Sequence, residues 1–105
     1  MRVYLSGPMT GYENSNFPAF HATADALRAR GMEVVNPAEI NVTGYSQGHP
    51  EFYNQCLRAD LKAMMDCHAI ALMRGWERSN GANLELHVAH RVGMEVLFVD
   101  ELLAG

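Results

Sequence analysis

Two acidic residues stand where the surrounding pattern calls for apolar ones. Glu85 lies in SNGANLELHVAH, residues 79–90, a segment with helical spacing. Its neighbours three and four residues away are Gly81, Ala82, Val88 and Ala89, so it sits in the small, apolar face of that helix. Asp60 falls on a second stripe of helical spacing, Tyr53, Leu57, Asp60, Leu61 and Met64. A carboxylate on such a face is desolvated unless it is paired or opens into a cleft. The plain alternative for Glu85 is a structural partner. For Asp60 it is an ion pair with Arg58 or Lys62, although those residues point to other faces of the helix. The chemical alternative is a pair of pocket carboxylates. Just before Glu85, Ser79 or Asn80 can cap the helix, and Gly81 lets a ligand approach its backbone. The free amides and dipole of a helix start attract anions. Two carboxylates, a tyrosine and an anion-attracting helix start suit glycosyl chemistry. One carboxylate attacks an anomeric carbon to form a sugar ester while the other acid protonates the leaving base.

These residues need elements to hold them. RVYLS at 2–6 reads as a strand running into the glycine-containing turn SGPMTG. This is not the GxGxxG dinucleotide pattern. GYENSN follows as a loop, and Asn16 has the place of an N-cap with Pro18 in the first turn. Phe17, Phe20, Ala24 and Leu27 give that helix its apolar face, and Gly31 stops it. MEVVNP at 32–37 is a second strand ended by Pro37. Residues 38–49 form a long connection containing Tyr45, placed to act as a lid or an interface loop. The Asp60 helix runs from about Pro50 to Met65, the almost unbroken apolar run HAIALM at 68–73 is a third strand, and MEVLFVD at 94–100 is the fourth, followed by the tail ELLAG. Strand–helix alternation predicts an α/β fold in three layers, a mainly parallel four-stranded sheet with helices on both faces. Right-handed crossovers leave few topologies, of which the order 2-1-3-4 is the one expected. The turn after strand 1 and the loop RGWERSNG then meet at the switch point, beyond the carboxyl ends of the strands, where such sheets bind ligands.

The remaining features narrow the class. The 105 residues suit one domain, 1–105, and a chain of this size buries roughly 65% of its unfolded surface. A net charge of −4 without a Lys/Arg cluster argues against nucleic-acid binding by phosphate neutralisation. It leaves room for a small phosphorylated ligand. Cys56 and Cys67 form no CxxC motif and read as reduced thiols of a cytoplasmic protein; no signal peptide or membrane span is expected. His87 and His90 share a helical face and His68 opens the third strand, yet no third ligand has metal spacing, so neither metal nor cofactor is expected. Trp76 can stack on a base, cover the core or form a subunit contact. The methionines read as gap fillers.

RVYLSGPMTG, ADLKAMMDCHAIALM and SNGANLELHVAHRVGMEVLFVDEL together resemble the nucleoside 2-deoxyribosyltransferase superfamily, especially its short phage and bacterial branch of unknown function. The deoxynucleoside 5′-monophosphate N-glycosidases belong to that superfamily. The resemblance runs over nearly the whole chain apart from 38–49. It implies a Rossmann-like or flavodoxin-like fold and puts the nucleophile on Glu85, the proton-transfer acid on Asp60, and the tyrosine holding the nucleophile on Tyr4. It puts phosphate binding on Ser79 and Gly81, with Asn80 beside them, and the sugar and base pocket on Ser6, Gly7 and Gly11. Where relatives often carry an aspartate opening the third strand, this chain has His68, with Asp66 two residues earlier as the reserve acid. Tyr4 has an ordinary alternative as a core tyrosine, because alternation sets it opposite Val3 and Leu5 and its role depends on which face meets the third helix. The resemblance further implies a homodimer or larger assembly, for which the second helix and 38–53 are the expected contact. Two other readings use the same residues: a nucleotide-binding module without turnover, and a phage accessory interaction protein with a vestigial pocket.

Overall fold

A computed structural model describes residues 1–40 and 48–104. Four parallel strands, β1 (Arg2–Ser6), β2 (Glu33–Val35), β3 (Ala69–Leu72) and β4 (Glu95–Phe98), form one sheet in the order β2-β1-β3-β4. This is the expected 2-1-3-4 order, one of the few that right-handed crossovers leave. The helices α1 (Phe17–Ala29), α2 (Phe52–Met64) and α3 (Asn80–Arg91) make the connections, and a single turn, α4 (Val99–Leu102), follows β4.

Alternation along β1 divides the interior in two. Val3 and Leu5 join Phe20, Ala24 and Leu27 of α1, with Ala69, Ala71 and Val99, in an apolar core on one side of the sheet. Tyr4 joins Met64, Ile70, Leu72 and Ala89 on the other side, under α2 and α3. The tyrosine's face is therefore the face that meets α3. Ala89 and Ala82 are buried there, and their small side chains let α3 lie close to the strands. The helix α2 behaves differently along its length. Its end is anchored by fully buried Met64, whereas Tyr53, in its first turn, is 53% exposed. The stripe expected to face the core faces it only at its C-terminal end.

Several local readings change. Asn16 does not cap α1 through its side chain; it adopts a left-handed conformation (φ 61°) and its Nδ2 donates to the Pro8 carbonyl at 2.9 Å. The same residue that begins the helix thus ties down the loop after β1. Gly31 does take a positive φ, 89°, after the helix end, as a C-terminal stop requires. Residues 94–100 are not all strand: the chain leaves the sheet after Phe98, and Asp100 and Glu101 occupy the first turn of α4. Tyr45 and residues 41–47, the central part of the expected lid, lie outside the described residues.

Candidate active site

The cap of α3 is Ser79. Its Oγ accepts the Ala82 amide at 3.1 Å, and Asn80 is the first helical residue. Ahead of it, a one-turn 3-10 helix, Trp76–Arg78, starts from Gly75 at φ 91°. A side chain at Gly75 would meet Pro8 Cγ at 3.2 Å and the Tyr12 hydroxyl at 3.3 Å, so the loops after β1 and β3 are fitted against each other here. This contact fixes where α3 begins, and Glu85 follows less than two turns later.

Glu85 is 6% exposed and points back over the end of β1. The Tyr4 hydroxyl donates to its Oε2 at 2.8 Å, and the Ser6 hydroxyl donates to its Oε1 at 2.6 Å. Both donors project from the same side of β1 because they are two residues apart. Above this pair opens a cavity of about 880 Å³ between the loop after β1, α2 and the start of α3, with Tyr4, Ser6, Asp60 and Glu85 in its lining. Asp60 reaches it from the middle of α2, half-buried and without an ion pair or hydrogen bond to any described residue. The expected pairing with Arg58 or Lys62 is absent from the ion pairs among the described residues.

The electrostatics separate the two acids. Burial raises the pKa of Glu85, while the hydrogen bonds from Ser6 and then Tyr4 pull it back down. Burial, and after it the negative charge of Glu85, raise Asp60 to about 7. With its proton held to about pH 7, Asp60 is poised to give it up near neutral pH, beside a carboxyl group whose charged form two hydroxyl donors support. Tyr4 is pushed well above its ordinary value, chiefly by burial and then by Glu85 and Asp60, and it stays a neutral donor.

Other expected residues are distributed unevenly. Ser79, Asn80 and Gly81 line the cavity, and a methyl group at Gly81 would lie 3.9 Å from both the Ser79 and Tyr53 oxygens. Ser6 also lines it, and its hydroxyl donates to Glu85. Gly7 is there, yet the demand for glycine comes from behind: a Cβ would sit 2.8 Å from Met73 Cβ. Gly11 is outside the lining and open on all sides; its φ of 86° accounts for the glycine. Its neighbours Thr10 and Tyr12 line the cavity. Asp66, the reserve acid, is exposed at the opposite end of the sheet, where its carbonyl accepts from Arg2. His68 is exposed there as well, with Nδ1 accepting the Arg2 amide at 3.1 Å. His87 and His90 are exposed on α3, and no group of three or more potential ligands gathers among the described residues. Trp76 packs on the core under α3 and lines a separate cavity of about 260 Å³ with Phe98 and Asp100. Among the cavity residues that escaped the reading from sequence are Thr10, Tyr12, Ser15, Cys56 and Arg78. Arg78, a cation immediately before the helix cap, had a usable signal in its position.

A parallel α/β sheet with a desolvated carboxylate held beneath a switch-point cavity, and a second acid facing it, is an enzyme-like arrangement. The chain belongs to the family described as a domain of unknown function, DUF4406, whose model matches residues 1–98. It is similar in structure to a solved 2-deoxyribosyltransferase from the psychrotolerant bacterium Bacillus psychrosaccharolyticus, with a TM-score of 0.73 over 93% of this chain and 71% of that one. Sequence identity is 18%, so the likeness establishes the fold. No curated protein sequence matches the chain. No helix among the described residues is long and apolar enough to cross a membrane.

Proposed function

We propose that the chain is one 2-deoxyribosyltransferase-like domain that cleaves or exchanges the N-glycosidic bond of a nucleoside, deoxynucleoside or nucleoside 5′-monophosphate. The observation that carries this reading is the doubly held carboxylate of Glu85 in a cavity shared with Asp60. In the first half-reaction a Glu85 oxygen bonds to C1′, the C1′–N bond breaks with its electron pair going to the base, and Asp60 delivers a proton to that nitrogen. In the second, water or another base attacks C1′, Glu85 leaves as carboxylate, and Asp60 takes the attacker's proton. A protonated Asp60 near pH 7 fits the first step and its conjugate base fits the second. Tyr4 holds the nucleophile. The amides at the start of α3, with Ser79, Asn80 and Gly81, take a 5′-phosphate when one is present, and Arg78 at the same cavity supplies countercharge.

The same reading includes a homodimer or larger assembly, with the exposed first turn of α2 around Tyr53 at the contact. Sizing at micromolar concentration tests that part. The activity is tested by incubating purified protein with the common deoxynucleosides and their 5′-monophosphates, with and without a second base, and separating the products. Free base or an exchanged nucleoside is expected. No release from any of them by folded protein overturns the catalytic reading; nucleotide-dependent thermal stabilisation in that case marks a binding module.

A further inference from the structure

The side of β1 that faces α3 presents two hydroxyls to one carboxylate. Family resemblance supplied a reason for the tyrosine and placed Ser6 among ligand-contacting residues. The geometry points to a different use of Ser6: we infer that it is a positioning residue, which with Tyr4 clamps both oxygens of Glu85 and thereby sets the direction and the charge of the nucleophile. This rests on the function proposed above and adds a second holding group to it.

Four observations support the inference. Ser6 is 1% exposed, so its hydroxyl is not a surface group that met Glu85 by chance of rotamer. Its contact, 2.6 Å, is the shorter of the two and lies in the range of hydroxyl–carboxylate bonds. Each donor takes a different oxygen, so the carboxylate cannot turn about its last bond without losing one of them. Finally, Ser6 stands on the last residue of β1, in register with Leu72 of β3, and the Met73 amide donates to the Ser6 carbonyl at 2.8 Å. The donor therefore sits on backbone fixed by the sheet, while the loop that must admit substrate begins one residue later.

The clamp has a chemical consequence specific to one step. Donors on a carboxylate stabilise its charged form. In the first half-reaction that charge is spent as the ester forms; in the second it returns as Glu85 departs from C1′. Ser6 thus assists the departure of Glu85 most directly, and its loss slows breakdown of the glycosyl-enzyme more than its formation. The titratable groups facing Glu85 are Tyr4 from β1 and Asp60 from α2, with Tyr12, Tyr53, Cys56 and Arg78 elsewhere in the cavity lining. All of them remain when Ser6 is changed, so a displaced titration reports the missing hydroxyl.

The experiment compares Ser6→Ala, Ser6→Thr and the unchanged protein. Two readouts are used: the Glu85 carboxyl titration followed by carbon NMR, and steady-state turnover with intact-mass detection of the ester on rapid quenching. In Ser6→Ala the Glu85 titration is expected to move to higher pH. Turnover should fall about ten- to hundredfold, the range for a lost hydrogen bond to a charged group, with KM falling in step, kcat/KM little changed and more trapped ester. Ser6→Thr, which keeps the hydroxyl, should restore the titration and most of the turnover. An unmoved Glu85 titration in folded Ser6→Ala overturns the clamp whether or not the protein has activity. If the unchanged protein releases no base from any substrate, the proposed function falls on its own, and the titration still decides Ser6.

Discussion

The two sides of the sheet are built from one strand and serve opposite ends. On the α1 side, Val3 and Leu5 meet Phe20, Ala24 and Leu27, all completely buried and all apolar. On the α2–α3 side, Tyr4 and Ser6 are buried just as deeply but end in hydroxyls, and both are spent on Glu85. The first side is closed from Phe20 to Leu27, where α1 packs on the sheet with its apolar stripe fully buried; Phe17, in its first turn, lies at the cavity rim. The second is open because α2 is anchored at Met64 while its other end, at Tyr53, stands exposed, leaving the cavity above the strand ends. Apolar burial stabilises wherever it occurs. A buried carboxylate costs free energy even when hydrogen-bonded, and stability invested on the closed side lets the open side keep two. The remaining charges follow a third pattern. The ion pairs Arg2–Glu33, Arg28–Glu39 and Arg74–Asp100 all lie at the surface, away from the carboxylates.

That contrast can be broken by substitution, because each side should respond in a different observable. The largest effect belongs to Glu85→Gln, which should lower kcat by about a thousandfold or more as the nucleophile is lost. Its thermal midpoint at pH 8 should hold or rise, since the ionised form of Glu85 is the one that burial penalises. A variant with full turnover removes Glu85 from the chemistry. Asp60→Asn comes next. Proton transfer of this kind contributes about 10²- to 10⁴-fold, and kcat should fall within that range. Turnover in the unchanged protein should decline as pH rises through about 7, where Asp60 loses its proton, and the variant should lack that limb.

The sign of the stability effect follows from the same shift. Because the folded state holds the Asp60 proton more tightly than the unfolded chain does, stability is greatest below the ordinary aspartate range. It falls as pH rises through about 7. Asp60→Asn should therefore stabilise at pH 8 and do little at pH 4, which thermal melts at the two values will show. On the closed side the readout reverses. Leu27→Ala should cost about 2–5 kcal/mol of stability in chemical denaturation, with activity per folded molecule unchanged. A fall in kcat there would mean the two sides are not separable. The smallest effect is expected for Arg74→Ala. Its side chain is 86% exposed and its pair with Asp100 is screened by water, so denaturation should shift by less than about 1 kcal/mol.

The legible parts of this molecule are those where a residue's neighbours along the chain decide its place. Strand–helix alternation required a parallel sheet, handedness left few orders, among them the one observed, and spacing on α3 and α2 set Glu85 and Asp60 apart from ordinary surface acids. Resemblance added Tyr4. Less legible were positions part of whose meaning lies across the fold. Asn16 holds the N-cap position but spends its side chain on Pro8; Gly7 lines the cavity and also makes room for Met73; Gly11 has a positive φ that calls for glycine. Ser6 looked like a residue for the ligand and is a residue for Glu85, 79 positions away.

The sequence by itself determined the architecture and the two unusual acids, because hydrophobic periodicity and helix and turn chemistry act over a few residues. Only the tertiary structure decided that these acids share one cavity, that both Glu85 oxygens are held from β1, and that α2 stands away at Tyr53. The physical reason is range. Hydrogen-bond direction, desolvation and the field of one carboxylate on another depend on separations of a few ångströms in space, and distance along the chain does not encode them.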